Sequence, residues 1–283
     1  MRDQTDTEIA IQAASRVSKL LLQLRADAES RASNSDGQLR ADGDREANRV
    51  ATELITGARP QDSILSEEAA DDPRRLTASR LWIIDPLDGT REFGERDEAG
   101  VWRDDFAVHI ALWERERGLS LGVVALPGRD LIYRSDLPLG LPQSHAGAMR
   151  IAVSRTRPPA FIAALEKAGA AQLVPMGSAG VKVMAVVTGE VDAYIHAGGQ
   201  YQWDSAAPVA VALASGLIAT RLDGSPLRYN ASELLLPDLV VCHPDRADEV
   251  RALLDAAGFG PYGANGGPSG AGASGVSAAE SAG

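Results

Sequence analysis

The chain has 283 residues, of which 45% are hydrophobic, and it carries a formal net charge of −11. This length suits one large domain or two modest ones, and the composition is sufficient for a buried core. The acidic balance argues against a nucleic-acid polymer or an anionic membrane surface as the main partner, because both would be repelled. A phosphorylated small molecule would be repelled too, unless bound divalent cations reversed the local charge.

The cysteine content and the apolar runs of the chain indicate its cellular location. The single cysteine, Cys242, excludes an intramolecular disulfide and a cysteine-rich metal site. No apolar run approaches the ~20 residues of a membrane-spanning helix, and the charged start of the chain is not followed by an apolar block. We therefore expect no signal peptide, no transmembrane helix and a cytoplasmic location.

The first half of the chain is predicted to contain two amphipathic helices and five strands. Thr5-Asp6-Thr7-Glu8 has capping-box spacing and precedes apolar residues at helical intervals as far as Leu24. The second helix is predicted from about residue 47 to 55, which places Asp44 at or beside its N-terminus as an N-cap or a functional acid. Strands are predicted at residues 63–66, 81–84, 106–113, 119–126 and 131–133, and His109 is expected to be a packed sheet histidine.

The second half is predicted to alternate between strands and helices, which indicates an α/β layered arrangement. Residues 135–147 are rich in Pro, Gly and Ser and predict a boundary between an N-terminal α+β domain, 1–140, and a C-terminal α/β domain, 148–259. Strands are predicted at residues 151–153, 172–175, 191–195, 216–221 and 239–242, and helices at 158–168, 181–187, 205–214 and 248–257. The tail, 260–283, has almost no large apolar residue and is predicted to be disordered.

The most informative stretch is a buried strand, 81–84, that ends in the hexapeptide Asp85-Pro86-Leu87-Asp88-Gly89-Thr90. The proline biases Asp85 toward an extended conformation, and Asp88 is close enough to share a site with it. Backbone N–H groups of Gly89 and Thr90 can face an anion. The alternative is an Asx-Pro turn with two solvated carboxylates.

Further acids and an anion cradle accompany this hexapeptide. Glu67 ends the preceding strand and Asp204 begins a helix, so four acids without a nearby histidine or cysteine favour magnesium or manganese over zinc or copper. Two such ions can clamp the attacking and leaving oxygens of a phosphate ester. Gly177-Ser178 precedes another helix and can hold an anion, with Lys182 about one turn further on.

The motifs in combination resemble a known family. The hexapeptide, Glu67-Glu68 upstream and Trp203-Asp204-Ser205-Ala206-Ala207 downstream are similar to the signature set of the inositol monophosphatase superfamily, over about residues 5 to 255. Within it, the chain most resembles the actinobacterial CysQ type of 3'(2'),5'-bisphosphate nucleotidase. The resemblance implies an α-β-α-β-α sandwich of the sugar-phosphatase type and a magnesium-dependent, lithium-sensitive phosphatase.

The resemblance also implies roles for individual positions. It implies two or three bound Mg²⁺ ions, for which Mn²⁺ can substitute, and inhibition of the enzyme by Li⁺. The implied metal ligands are Glu67, Asp85, which bridges two ions, the Leu87 carbonyl, Asp88 and Asp204. The implied catalytic residues are Asp44, which orients the Thr90 hydroxyl, Thr90, which helps to position and deprotonate water, and Glu67. The implied substrate contacts beyond these are Gly89, Ser178, Lys182 and His196.

Two regions depart from the pattern of the family. The element from Ser35 to Asp44 has Leu39 and Ala41 where Pro and Thr are usual. The loop at 91–105, predicted to be a mobile lip over the site, contains acids that could add a third metal but that we expect to be solvated: Asp97, Glu98, Asp104 and Asp105.

The expected reaction is removal of the 3'-phosphate from adenosine 3',5'-bisphosphate, or from its sulfated form, in sulfate assimilation. The alternatives are the same chemistry on inositol 1-phosphate or fructose 1,6-bisphosphate, and a non-catalytic module that senses metal or nucleotide. A homodimer is a further expectation.

Overall fold

The computed structural model describes residues 4–30, 36–156, 158–159, 161–162, 169 and 171–260. The α-helices in this part of the chain are α1 (Asp6–Ser30), α2 (Asp36–Ala58), α3 (Thr90–Phe93), α4 (Ala179–Val187), α5 (Gln202–Ala214) and α6 (Ala247–Ala256), and short 3-10 helices lie at Pro73–Thr77, Pro127–Arg129 and Pro244–Arg246. The strands are β1 (Ser63–Ser66), β2 (Arg80–Asp88), β3 (Ala107–Glu114), β4 (Gly118–Leu126), β5 (Leu131–Arg134), β6 (Met149–Ser154), β7 (Ala171–Met176), β8 (Ala193–Tyr201), β9 (Ile218–Thr220) and β10 (Leu235–Cys242). Most of the helix predicted at 158–168, and all but the first residue of the tail predicted to be disordered at 260–283, lie outside the described residues.

The strands form two five-stranded sheets. The first sheet has the order β1-β2-β3-β4-β5, in which β1 and β2 are parallel and the other neighbours are antiparallel. The second has the order β7-β6-β8-β10-β9, with parallel pairs around β6 and antiparallel pairs around β10. Both sheets are therefore mixed, so the strand-helix alternation predicted for the second half does not produce a fully parallel sheet.

Three apolar clusters join the sheets and helices into layers. One lies between the first sheet and α1 and α2, and includes Val17 and Trp82. The second fills the space between the two sheets with side chains of α4 and α5, such as Val183. The third packs α6, through Leu254, onto the outer face of the second sheet. The order of layers is α-β-α-β-α, which confirms the predicted sandwich.

Small residues allow the middle layer to approach the first sheet closely. A Cβ atom on Gly122 of β4 would lie 2.6 Å from both the Ala207 carbonyl oxygen and the Ala210 Cβ of α5. The glycine and the alanines therefore bring the backbone of α5 against the sheet. This contact fixes how closely the first turn of α5, which contains Asp204, packs on the first sheet.

The capping box of α1 is confirmed, because the Thr5 amide donates to Glu8 at 2.8 Å and the Glu8 amide to Thr5 Oγ1 at 3.2 Å. The predicted start of the second helix is wrong. Helix α2 begins at Asp36, so Asp44 lies inside it rather than at its N-terminus. Leu39 explains this in part: it supplies a backbone N–H that the usual proline lacks, and its side chain is buried.

The chain passes from the first sheet to the second between Arg134 and Met149, within the segment predicted as a boundary. The division into domains at 1–140 and 148–259 stays a prediction. Over the residues that the structure describes, none of the helices combines the length and the apolar character that crossing a membrane requires.

Candidate active site

A bulge in β2 places the two acids of the hexapeptide on one side of the sheet. Asp85 pairs with His109 and Asp88 with Ala107, so β2 contains one residue more than β3 over this interval. Residues three apart in a regular strand would face opposite sides, and the extra residue turns Asp88 back to the side of Asp85. Pro86 tolerates such an interruption because it has no N–H to donate to the ladder.

Asp85 is the most buried of the acids, at 1% exposure. Its Oδ1 accepts a hydrogen bond from the Leu87 amide at 3.1 Å. Its Oδ2 is buried and has no hydrogen-bond partner among the residues that the structure describes. A buried carboxylate oxygen without a donor is costly, and a cation is the partner that such an atom would take.

Asp88 and Asp204 reach the same point from different elements. Oδ2 of Asp88 accepts from the Gly180 amide at 2.7 Å, and also from the Ser178 hydroxyl. Oδ2 of Asp204 accepts from the Tyr201 amide at 2.6 Å. Asp85, Asp88 and Asp204 each offer a carboxylate oxygen, and these oxygens lie within 4.8 Å of one another.

Glu67 completes the acidic cluster at its edge. Strands β1 and β2 are parallel neighbours, and the Glu67 amide donates to the Ile84 carbonyl at 3.4 Å, which brings Glu67 beside Asp85. Glu67 is exposed overall, and its carboxyl group interacts electrostatically with that of Asp85.

Burial and mutual repulsion make the ionised cluster unfavourable without cations. Burial raises the pKa of Asp85 well above its ordinary value, and the charges of Asp88, Glu67 and Asp204 add to the effect. Burial, followed by repulsion from Asp88, raises the pKa of Asp204 to about 7. Loss of solvent raises the pKa of the Glu67 carboxyl to about 7, and the charges of Asp88 and Glu68 act in the same direction.

The donor set fits hard divalent cations. Three convergent carboxylates, an adjacent fourth and the unpartnered Oδ2 of Asp85 offer only oxygen, which magnesium and manganese prefer. The Leu87 carbonyl, predicted as a further ligand, accepts from the Thr90 hydroxyl at 3.2 Å and so lies at the same turn.

Thr90 and Asp44 are brought together from distant parts of the sequence. The Thr90 hydroxyl donates to Asp44 Oδ1 at 2.9 Å. Helix α2 comes this close because Gly43 has no side chain: a Cβ there would lie 2.6 Å from the Phe93 ring. Burial, opposed by the hydrogen bond from Thr90, raises the pKa of Asp44 to about 6.

Gly89 allows the chain to turn from β2 into α3. It has a φ of 91°, in the left-handed region that other residues rarely adopt. Its Cβ position would face Ser178 at 3.3 Å, so the turn lies directly against the segment that precedes α4.

Ser178 and Lys182 lie beside the acidic cluster. Ser178 has a φ of 49°, a strained conformation for a residue with a side chain, and its hydroxyl accepts from the Val181 amide at 3.1 Å while it donates to Asp88. The buried Lys182 ammonium donates to the carbonyls of Ser178 at 2.6 Å and Gly177 at 3.2 Å. Burial lowers the pKa of Lys182, and the charge of Asp88 opposes that effect most strongly.

His196 lies further out on β8. It is half-buried, its Nε2 lies 3.4 Å from the Gly199 carbonyl, and its ring lies 6.2 Å from that of Tyr194. The ammonium of Lys182 lies 5.3 Å from the same Tyr194 ring. Tyr194 is therefore a common neighbour of the two predicted substrate contacts His196 and Lys182.

His109 is a packed sheet histidine, as expected, but it also contacts the cluster. Its Nε2 lies 3.3 Å from Asp88 Oδ2, and its Nδ1 lies 3.3 Å from the Trp203 carbonyl. Burial lowers its pKa, which keeps the ring neutral near pH 7. Its nearness follows from the pairing of β2 with β3, which the sequence does not display.

The expectation that all acids of the 91–105 loop are solvated is wrong for Asp105. This carboxylate is buried, accepts from the Gly177 amide at 2.7 Å and pairs with Arg155. Arg155 also donates to Glu92 at 3.2 Å. These contacts join the first sheet to the turn that carries Ser178, and they were missed because Asp105 and Arg155 are far apart in the chain.

Comparisons with known proteins identify the family of this chain. The family model of the inositol monophosphatase family matches residues 2–255. A Mycobacterium tuberculosis protein named 3'-phosphoadenosine 5'-phosphate phosphatase is 49% identical over 249 residues, which cover 84% of this chain and 88% of the relative.

Solved structures show the same fold. CysQ from Bacteroides thetaiotaomicron has a TM-score of 0.68 and 29% identity, covering 83% of this chain and 96% of the other. The structure of 2'AMP bound SaIMPase-II, at 19% identity, has a TM-score of 0.70 and covers 88% and 97% of the two chains. The match over nearly the whole described chain, and the identity to relatives that it covers, show that the chain belongs to the inositol monophosphatase family.

Proposed function

We propose that this protein is a magnesium-dependent phosphatase that removes the 3'-phosphate from adenosine 3',5'-bisphosphate, giving AMP, in sulfate assimilation. The sulfated form of adenosine 3',5'-bisphosphate is proposed as a second substrate. The observation that carries the proposal is the convergence of Asp85, Asp88 and Asp204, with an unpartnered oxygen on Asp85. The name of the mycobacterial relative supports the choice of substrate.

Two Mg²⁺ ions are proposed to bind to the predicted ligand set: Glu67, Asp85, the Leu87 carbonyl, Asp88 and Asp204. When bound, such ions neutralise phosphate charge and make water more acidic. Asp85, whose charge interacts with those of Glu67, Asp88 and Asp204, is proposed to be the ligand that the two ions share. Mn²⁺ is proposed to substitute for Mg²⁺, and Li⁺ to inhibit.

The residues around the cluster are proposed to accept a proton from the attacking water and to bind the scissile phosphate. Asp44, with a pKa of about 6, is mainly ionised at pH 7 and accepts the Thr90 proton, which leaves the Thr90 oxygen free to accept a proton from the attacking water. Glu67, at the solvent edge, is proposed as a second acceptor. The Gly89 and Thr90 amides are proposed to bind the scissile phosphate.

The second phosphate is proposed to bind near Ser178 and Lys182, with His196 toward the nucleoside. The buried ammonium of Lys182 supports this, because an anion is the ligand that such a group would favour. In the structure the ammonium donates two of its three N–H groups to backbone carbonyls, and the third is proposed to donate to the phosphate.

The setting is proposed to be cytoplasmic and the assembly a homodimer, with neither a nucleic-acid polymer nor a membrane as partner. The net charge of −11 supports the last two statements.

The test is phosphate release from adenosine 3',5'-bisphosphate, inositol 1-phosphate and fructose 1,6-bisphosphate, each with Mg²⁺ and with or without Li⁺. We expect the nucleotide to be hydrolysed with the highest kcat/KM. Comparable or faster hydrolysis of either sugar phosphate would contradict the nucleotide assignment. Lys182→Met, which removes the charge but keeps the side-chain length, should reduce nucleotide turnover more than inositol 1-phosphate turnover, and equal losses would contradict the second-phosphate role.

A further inference from the structure

Tyr201 stands at the junction of β8 and α5, next to the ligand Asp204. Its backbone N–H donates to Asp204 Oδ2 at 2.6 Å, so its position is tied to a carboxylate of the cluster. Its side chain is nevertheless 44% exposed. A large aromatic residue held this close to a charged site, yet open to solvent, is available to a ligand.

The Tyr201 ring stacks in parallel on the ring of Trp203. The two ring centroids lie 4.7 Å apart and the planes differ by only 6°. Trp203 is 7% exposed and packs in the cluster between the sheets, and its buried Nε1 has no hydrogen-bond partner in the described part of the chain. One face of the Tyr201 ring is therefore covered by a fixed indole, and the exposed part faces outward.

Two glycines, which have no side chains, lie in β8 shortly before Tyr201. Gly198 and Gly199 have φ values of 128° and 85°, and they lie where β8 has one residue more than β10. A Cβ on Gly198 would meet nothing within 4 Å. Both φ values lie in the left-handed region that favours glycine, so the bulge itself requires these two residues, and they leave the backbone beside Tyr201 without side chains.

We infer that the exposed ring of Tyr201 is the stacking platform for the nucleobase of the substrate, an inference that rests on the proposed function. In a nucleoside 3'-phosphate, one ribose separates the base from the scissile phosphate. The backbone N–H of Tyr201 donates a hydrogen bond to Asp204, a proposed ligand of the cations that bind this phosphate. Stacking on an aromatic ring recognises the flat face of any base. The platform would thus favour nucleotides as a class over inositol and sugar phosphates, which have no flat face.

The experiment compares Tyr201→Ala and Tyr201→Phe with the wild type on adenosine 3',5'-bisphosphate and inositol 1-phosphate. Leu213→Ala is the matched control, because Leu213 is 50% exposed on the same helix α5 but lies at its far end. We expect Tyr201→Ala to raise KM for the nucleotide about tenfold with kcat within twofold. We expect Tyr201→Phe to retain the wild-type KM, and kcat/KM for inositol 1-phosphate to change by less than twofold.

Each other outcome is diagnostic. A wild type that does not hydrolyse the nucleotide contradicts the proposed function, and the platform with it. A wild type that does so, with an unchanged KM in Tyr201→Ala, overturns the platform alone. Equal losses on both substrates would show that Tyr201 only supports Asp204, and a change of oligomeric state in sedimentation would show that the ring contacts a second copy; either result overturns the inference.

Discussion

The hydroxyl of Thr90 donates to Oδ1 of Asp44 across 2.9 Å, although the two residues are 46 positions apart. Asp44 lies in the interior of α2, and Thr90 begins α3 directly after the turn that contains Asp88 and Gly89. The bond therefore joins the outer helical layer to the point at which water is proposed to be activated.

Removal of the Thr90 hydroxyl should abolish this link while leaving the fold intact. We expect Thr90→Val to lower kcat by roughly 100-fold or more, the range of general acid-base catalysis, with a smaller effect on KM. Thr90→Ser keeps the hydroxyl and should retain most of kcat. Steady-state kinetics, with circular dichroism to verify folding, checks this, and equal activity of the two variants would rule out a role for the hydroxyl.

The stability of the metal-free protein should fall as the pH rises. Asp44, Glu67 and Asp204 have pKa values of about 6, 7 and 7, each raised above its ordinary value, and that of Asp85 is raised as well. The folded chain thus binds more protons than the unfolded chain between pH of about 4 and 7, so the free energy of unfolding decreases through this window.

Thermal unfolding in the presence of a chelator measures this dependence. We expect a lower Tm at pH 7.5 than at pH 5.5, and a larger rise in Tm on adding Mg²⁺ at the higher pH, where protons no longer compete. Asp204→Asn is the control, since it removes one of the titrating groups and should flatten the profile. A Tm that rises with pH in the chelated wild type would contradict the prediction.

Asp105 should matter more for stability than its neighbour Asp104. Replacing Asp105 with Ala leaves the Gly177 amide without its acceptor and Arg155 with only Glu92 of its two carboxylate partners, and we expect a loss of roughly 3 kcal/mol. Asp104 is 57% exposed and pairs with Arg129 at the surface, so Asp104→Ala should cost about 1 kcal/mol or less. Urea denaturation measures both, and similar losses for the two would refute the structural role of Asp105.

The approach of α4 to β3 requires Gly180. A Cβ on Gly180 would lie 2.1 Å from His109 Nε2, and the Gly180 amide is a donor to Asp88. We expect Gly180→Ala to cost about 1–3 kcal/mol in the free energy of unfolding and to lower kcat.

Gly57 provides the matched control for that substitution. It lies in α2 with nothing within 4 Å of its Cβ position, so Gly57→Ala should raise stability by up to about 1 kcal/mol. Denaturation curves for the two variants decide the point, and a neutral Gly180→Ala would contradict the close packing of α4 on His109.

The elements with regular apolar patterns could be predicted from the sequence. The strand before Asp85 and the capping box before α1 follow from local periodicity and side-chain chemistry. The family and the layered fold, which the resemblance implied, are confirmed. The start of α2 could not be found in this way, because its first residues are polar like a turn and are held by tertiary contacts of Leu39 and Gly43.

The missed residues of the site share a physical reason. His109 reaches Asp88 through the register of β2 and β3, and Arg155 reaches Asp105 only because the two sheets pack around α4 and α5. Neither relation has a signal within one segment of sequence. The acids of the cluster were recognised because their motifs, rather than their distances, are distinctive.

The proposed function depends most directly on Asp85, Asp88 and Asp204, which are proposed to hold the divalent cations that hydrolysis requires. The most direct measurement is calorimetric titration of Mn²⁺ into the chelator-stripped protein, which reports binding independently of activity. We expect about two ions per chain, and at least about tenfold weaker binding in Asp85→Asn, the proposed bridging ligand. Wild-type protein that binds no Mn²⁺, or Asp85→Asn that binds it as tightly as the wild type, would contradict the account.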